Sequence, residues 1–122
     1  MARHHRDPED LLPLTPGMFH VLIALADGEK HGYAIIKEVA RRTEGAIRLS
    51  AGTLYTLIRR FAQDGVIAES AARPDPALDD ERRRYYRLTE FGREVARAEA
   101  ARMESTLSMA RAKHLIPRTR TS

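Results

Sequence analysis

The segment from Leu49 to Gly65 carries side chains that could hydrogen-bond to a nucleic acid. Its sequence is LSAGTLYTLIRRFAQDG, in which four apolar residues recur at helical spacing: Leu54, Leu57, Ile58 and Phe61. On a helical wheel, residues that can approach a groove or donate hydrogen bonds lie opposite that stripe or on its flank: Gly52, Thr53, Tyr55, Thr56, Arg59, Arg60 and Gln63. Arg59 could pair with a guanine edge and Gln63 with an adenine edge, each through two hydrogen bonds. The pattern predicts a helix with one buried face and one face that fits a DNA major groove.

The competing interpretation is that this polar face is merely solvated. Solvated faces usually carry Glu and Lys, whereas this face has no acidic residue before Asp64. Ser50 stands just before the helix, where its hydroxyl caps the first turn and, with the free backbone amides, can hold a phosphate. We therefore favour contact with DNA over simple solvation.

A second group of cationic side chains lies further along the chain. Arg82, Arg83 and Arg84 begin the segment RRRYYRL, and Arg73 begins an acidic loop with two prolines. A run of three arginines is often only a solvated surface, so the run by itself does not decide between solvation and contact. We expect these arginines to touch DNA phosphates, and we expect the acidic loop between them to be held away from the backbone.

Catalytic and metal-binding chemistry is not indicated. The chain has no cysteine, no glycine-rich phosphate loop and no set of acid, histidine and nucleophile that the helix order would bring together. His4 and His5 lie near Asp7 and Glu9, but an untethered arm rarely forms a defined metal site. We predict no enzymatic activity, no metal and no cofactor.

Composition is typical of one globular domain. The chain has 122 residues, of which 43% are hydrophobic and 31% charged, with a net charge of +4. Only Lys30, Lys37 and Lys113 are lysines among the 21 basic residues, so arginine, which suits phosphate and guanine, dominates. No apolar run reaches the length of a membrane span, and we expect a soluble, cytoplasmic protein.

Apolar periodicity and capping residues predict three helices in the first half of the chain. Thr15 and Pro16 open the first helix, which Gly28 closes. The second covers about residues 32–43, and the third covers residues 51–64.

Two strands and a long helix are predicted after them. Residues 66–70 and 82–88 form the strands of a hairpin, with the acidic loop at its tip. Thr89 caps a helix of about residues 90–115, which Pro117 stops. The predicted fold class is mainly α with a small β-hairpin: a winged helix-turn-helix with a long C-terminal helix.

The last helix has an apolar side that Arg102 interrupts, formed by Phe91, Val95, Ala98, Met103, Leu107 and Ala110. A domain this small cannot cover the whole helix, so we expect it to pack on a second copy and form a homodimer. The predicted organisation is a flexible arm at 1–13, a DNA-binding domain at 14–88, a dimerisation helix at 89–116 and a tail at 117–122.

Four motifs resemble the PadR family of bacterial transcriptional regulators: HGYAII from His31, LSAGTLY from Leu49, DGVI from Asp64 and RRYYRLTE from Arg83. The single C-terminal helix is similar to that of the short subgroup. The resemblance implies a winged-helix repressor that binds double-stranded DNA at a palindromic promoter operator as a homodimer. It also implies release on binding a small-molecule effector.

Residue roles carried over by position follow from the same motifs. The resemblance implies that the recognition-helix residues are Ser50, Thr53, Tyr55, Thr56 and Arg59. It also implies that Gly32 allows close packing and that Tyr33 fills the junction between the second and third helices. Ala51 departs from the family pattern, where proline is common, and the chain has no tryptophan to sandwich an aromatic ligand.

Two alternatives stay open. The chain could be a protein-interaction module that uses the winged-helix shape without binding DNA. It could also be another winged-helix regulator, such as a multidrug-resistance repressor, although that type usually carries a further helical pair for dimerisation. DNA binding that weakens steeply with salt would exclude the interaction module.

Overall fold

A computed structural model of the protein describes residues 7–70 and 84–117. These residues form a short 3-10 helix, four α-helices and three short strands. The 3-10 helix is Pro8–Leu11; the α-helices are α1 (Pro16–Ala24), α2 (Gly32–Arg42), α3 (Ala51–Gln63) and α4 (Glu90–Ala112); the strands are β1 (Lys30–His31), β2 (Ile67–Ser70) and β3 (Tyr85–Leu88). The predicted winged-helix class is confirmed. The predicted acidic loop and three of the predicted arginines, Arg73, Arg82 and Arg83, lie outside the described residues.

Side-chain caps begin the helices where the sequence predicted them. Thr15, Ser50 and Thr89 each accept a hydrogen bond from the backbone N–H three residues later, at 3.2, 3.1 and 2.9 Å. The sequence did not identify His31 as a cap, yet its Nδ1 accepts from Ala34 N–H at 3.2 Å at the start of α2.

The helix ends depend on residues with positive φ. Gly65 closes α3 with a φ of 76°, as predicted, and Val66 N–H donates to the carbonyl of Phe61 at 2.8 Å. α4 ends at Ala112, before the predicted residue 115, because His114 adopts a φ of 63° and turns the chain away. α1 also ends earlier than predicted, at Ala24, and a turn then connects it to Gly28.

The three strands form one antiparallel sheet in the order β1-β3-β2. β2 and β3 are the predicted wing, in which Ile67 pairs with Leu88 and Glu69 pairs with Tyr86. β1 was not predicted, because a strand of two residues shows no alternation of apolar and polar side chains.

One apolar core holds the helices and the sheet together. Leu54, Ile58 and Phe61 of α3 are buried in it, as predicted, and Leu57 is half-buried at its margin. Val66, which precedes β2, is fully buried and stands against the first turn of α4. The core therefore fixes the angle at which α3 leaves the domain and presents its opposite face.

At residues 7–13, the part of the N-terminal segment that the structure describes, the chain differs from the flexible arm predicted for residues 1–13. Residues 8–11 form the 3-10 helix, with Asp7 accepting from Glu9 N–H at 3.1 Å as its cap. Leu11 and Leu12 pack against the core. Two neighbouring leucines within a polar segment were the available sequence signal for this packing.

α4 divides into a half that completes the core and a half that projects from it. Val95 is fully buried in the domain, so it cannot contribute to the dimerisation surface that the sequence predicted, and Phe91 is partly buried against the core. Residues 100–109 are all exposed. No helix among the described residues is both long and apolar enough to cross a bilayer.

Candidate nucleic-acid interface

The exposed face of α3 is built largely as the sequence predicted. Seven predicted residues at the helix start or on its outer face are exposed: Ser50, Gly52, Thr53, Thr56, Arg59, Arg60 and Gln63. At the helix start, Ser50 Oγ donates to Thr53 Oγ1 at 3.0 Å and accepts from Thr53 N–H. An alanine Cβ at Gly52 would meet no atom within 4 Å, so the first turn is open to an approaching ligand. This face offers two guanidinium groups, an amide and hydroxyls without an intervening acid.

Tyr55 is the exception on this helix. It is half-buried and its hydroxyl lies against Gly32, where a Cβ would collide with the phenol oxygen and lie 2.9 Å from the ring. Its ring also meets Tyr86 edge-on, with 6.4 Å between centroids. Tyr55 therefore joins α3 to α2 and to the wing, in place of the fully outward position that the helical wheel predicted.

Tyr33 does not fill the junction between α2 and α3, so that prediction was wrong. Its side chain is 62% exposed, and the Lys37 ammonium lies 5.2 Å from its ring centroid. The predicted close packing at Gly32 is present, but the tyrosine that uses it is Tyr55. A motif that places two tyrosines near one glycine does not say which ring will occupy the space.

A cleft of about 350 Å³ separates α3 from the wing. Tyr55 and Arg59 line it from α3, while Glu69, Arg84 and Tyr86 line it from the wing. Burial raises the pKa of the Tyr86 hydroxyl above its usual value. The cleft therefore combines cationic groups and one carboxylate beside the exposed face of α3.

Arg84 is the predicted wing arginine that the structure describes. It is exposed and its Nε lies 3.5 Å from Glu69 Oε2 across the hairpin. Glu69 was not among the predicted site residues. Strand register was the missing information, because it brings Glu69 opposite Tyr86 and thus onto the same face as Arg84.

The N-terminal segment borders the other side of α3. Leu11 lines a groove of about 440 Å³ together with residues from the middle of that helix to the residue that follows it: Thr56, Arg59, Arg60, Gln63 and Asp64. Arg60 and Gln63 therefore face a groove that the protein itself partly walls. The sequence predicted a flexible arm here and did not indicate which surface the arm contacts.

The projecting half of α4 exposes apolar side chains. Met103 and Leu107 of the predicted dimerisation set are 42% and 44% exposed, and Met109 is 62% exposed. Two others in that set, Ala98 and Ala110, are partly buried.

Arg102 interrupts this side of the helix because it pairs with buried Glu99. Its Nε and second guanidinium nitrogen lie 2.7 and 3.1 Å from the carboxylate oxygens, and hydrogen bonds from Arg102 lower the pKa of Glu99. No cluster of metal-ligating side chains occurs at residues 7–70 or 84–117.

Solved structures of regulators share this fold. A transcriptional regulator from Clostridium thermocellum superposes with a TM-score of 0.64 at 24% identity, over 79% of this chain and 87% of that one. A PadR family transcription regulator from Clostridium difficile superposes with a TM-score of 0.66 at 20% identity, over 80% of this chain and 97% of that one. At these identities the likeness establishes the fold.

Sequence comparison establishes the family. The transcriptional regulator Rv3488 of Mycobacterium tuberculosis is 35% identical over 74 residues, which are 61% of this chain and 63% of that protein. The match thus spans less than two thirds of that relative's length. A family model described as the transcriptional regulator PadR-like family matches residues 21–98, which include α2, α3, the wing and the start of α4. Because that match covers more than half of the sequence, the chain belongs to the PadR-like family of transcriptional regulators.

Proposed function

We propose that this regulator is a repressor that binds a palindromic promoter operator as a homodimer and releases it when a small-molecule effector binds. The observation that carries the DNA-binding part is the exposed, acid-free face of α3, whose opposite face is locked into the core. Family membership supports regulation of transcription. The motif resemblance supports repression and release by an effector.

The dimensions of α3 suit a major groove. A helix of 13 residues is about 20 Å long, and the groove is wide enough to admit it. At its N-terminus, Ser50 and open Gly52 allow the backbone to approach a phosphate closely. Further along, Arg59 carries the fork of donors that reads guanine.

An operator selection tests this proposal. Purified protein is incubated with duplexes carrying a random central region, and bound DNA is recovered and sequenced over several rounds. We expect enrichment of an inverted repeat whose half-sites lie about one helical turn, or 10 base pairs, apart. Recovery of no common sequence would overturn the proposed operator recognition.

Arg59→Ala is expected to weaken binding to the selected operator by about 1–3 kcal/mol and to remove preference at one base position, because Arg59 is proposed to read a base edge. Arg84→Ala is expected to weaken operator and scrambled duplexes by the same factor, because Arg84 is proposed to contact phosphate. Fluorescence anisotropy with single-base operator variants measures both effects. Equal loss on every sequence by both variants would show that Arg59 does not read a base.

The projecting half of α4 supports the homodimer in this proposal. α4 has 23 residues and is therefore about 35 Å long, and its exposed half carries Met103 and Leu107 four residues apart. Burying these side chains against a second copy would remove apolar surface from water. A two-fold dimer would also place two α3 helices for an inverted repeat.

Leu107→Glu is expected to raise the dimer dissociation constant about tenfold or more, because the dimer would then bury carboxylates at its interface. Sedimentation velocity over a micromolar concentration series measures the change. Ser108→Glu is the matched control, since Ser108 is exposed on another side of the same helix. A wild-type monomer at these concentrations, or equal association of all three proteins, would contradict the proposed interface.

A further inference from the structure

One carboxylate lies beside the cationic side chains of the proposed DNA surface. Among the described residues lining the cleft between α3 and the wing, Glu69 alone is acidic. The Nε atom of its partner Arg84, which directly precedes β3, lies 3.5 Å from the Glu69 carboxylate, and the side chains of Glu69 and Arg84 are about half exposed, at 49% and 53%. The pair is therefore accessible to solvent.

The sheet fixes the position of this pair. Glu69 is directly opposite Tyr86, which is two residues from Arg84 and therefore on the same face of β3. The charge of Arg84 acts on the Tyr86 hydroxyl and lowers its pKa, against the larger effect of burial. Tyr86 is buried and anchors this arrangement to the core. Arg84 is thus held toward Glu69 and the cleft while its guanidinium stays half exposed.

An exposed carboxylate–arginine pair is weak and readily exchanged. Such pairs contribute about 0–1 kcal/mol, so a DNA phosphate can replace the carboxylate on the same guanidinium. When the phosphate binds, Glu69 loses its partner and stays close to the new negative charge. The lost pairing and the repulsion both weaken binding to every duplex, whatever its base sequence, because every duplex presents the same phosphates.

We propose that Glu69 is an internal competitor for DNA phosphate, which occupies Arg84 in the free protein and weakens the sequence-independent part of DNA binding. Arg59 lines the same cleft, so the carboxylate also lies at the edge of the surface that reads bases. The inference rests on the proposed DNA binding and adds a regulatory residue to it. Glu69 thereby limits affinity without touching a base.

The test measures affinity of Glu69→Gln for the selected operator and for a scrambled duplex of equal length. We expect Glu69→Gln to bind both duplexes more tightly, by a similar factor of about two to five. This factor corresponds to the free energy that an exposed ion pair contributes. The plot of log affinity against log salt concentration should also become steeper, by up to about 0.9 in slope, because Arg84 is then free to neutralise one more phosphate.

Two controls isolate the cause. Glu94→Gln removes the same charge from an exposed site on α4, and we expect it to change affinity by less than half as much. In an Arg84→Ala background, the effect of Glu69→Gln should fall to less than half, because the competition for Arg84 is gone and only the repulsion between the carboxylate and DNA remains. Thermal unfolding of each variant checks that the wing is intact.

Each remaining outcome is decisive. Unchanged or weaker binding by Glu69→Gln, with stability retained, would overturn the competition, and so would an effect of undiminished size in the absence of Arg84. Tighter binding to the operator alone would show that Glu69 acts on a base edge instead. If the wild-type protein binds neither duplex at any salt concentration, the proposed DNA binding itself fails, which is a distinguishable result.

Discussion

Gly92→Ala is expected to destabilise the protein by about 3 kcal/mol or more. Gly92 lies in the first turn of α4, where its N–H donates to Thr89 Oγ1 at 2.9 Å. A Cβ at this position would collide with the carbonyl oxygen of Val66 and lie 2.9 Å from the carbonyl carbon. Because these are backbone atoms of a fully buried residue, no side-chain rotation can relieve the overlap. α4 would have to move away from the core.

Urea unfolding at a fixed protein concentration measures this loss. Gly52→Ala is the matched control, since it makes the same substitution in the first turn of a helix at a site with open space. We expect that control to be neutral or more stable by up to about 1 kcal/mol, because alanine favours helix. Equal stability of the two variants would contradict the close contact between α4 and Val66.

Glu99→Ala is expected to destabilise the protein by about 2–3 kcal/mol. Glu99 is 1% exposed, and its Oε2 accepts from the backbone N–H of Leu14 at 3.1 Å. Removing the carboxylate leaves that buried N–H without its acceptor, which costs about 1–3 kcal/mol, and leaves a cavity as well. The loss of the partner of Arg102 adds little to this destabilisation, because the Arg102 side chain is half exposed and its guanidinium can be hydrated. The segment before α1 would lose this hydrogen bond to α4.

Chemical denaturation at neutral and acidic pH tests this role. The folded-state pKa of Glu99 lies below its ordinary value of 4.5, so its stabilising contribution is complete above 4.5 and disappears as the pH falls through the folded value. The difference between wild type and Glu99→Ala should therefore narrow in acid. Glu99→Gln should lose less stability than Glu99→Ala, because its amide oxygen can still accept a hydrogen bond from Leu14. The control Glu94→Ala, at an exposed site, should change the free energy of unfolding by no more than about 0.5 kcal/mol. Equal losses of stability in Glu99→Ala and Glu94→Ala would contradict a stabilising role for the hydrogen bond between Leu14 and Glu99.

Local sequence signals were sufficient for the helices and the wing. Thr15, Ser50 and Thr89 combine a capping side chain with an apolar pattern that starts after them, and all three cap helices in the structure. The stripe of α3 was readable because helical spacing brings its apolar residues onto one side. The absence of enzymatic activity was also predicted correctly, since PadR family members are transcriptional regulators.

Contacts between distant residues were not readable from local patterns. An apolar helix face predicts burial but not the partner that covers it, so Val95 was assigned to a dimer although the domain's own core buries it. The same applies to Glu99, which bonds to a backbone group 85 residues away. The predicted position of Tyr33 was wrong for the same reason, because only the packing of α2 on α3 decides that the ring of Tyr55 meets Gly32.

The most direct test of DNA binding is the affinity of the wild-type protein for its selected operator over a series of salt concentrations. Fluorescence anisotropy at constant pH supplies the binding constants. We expect log affinity to fall linearly with log salt, by about 0.9 per phosphate neutralised, and a scrambled duplex to bind more weakly at each concentration. Binding that is absent, or that does not change with salt, would contradict this expectation and favour a winged-helix module that binds protein.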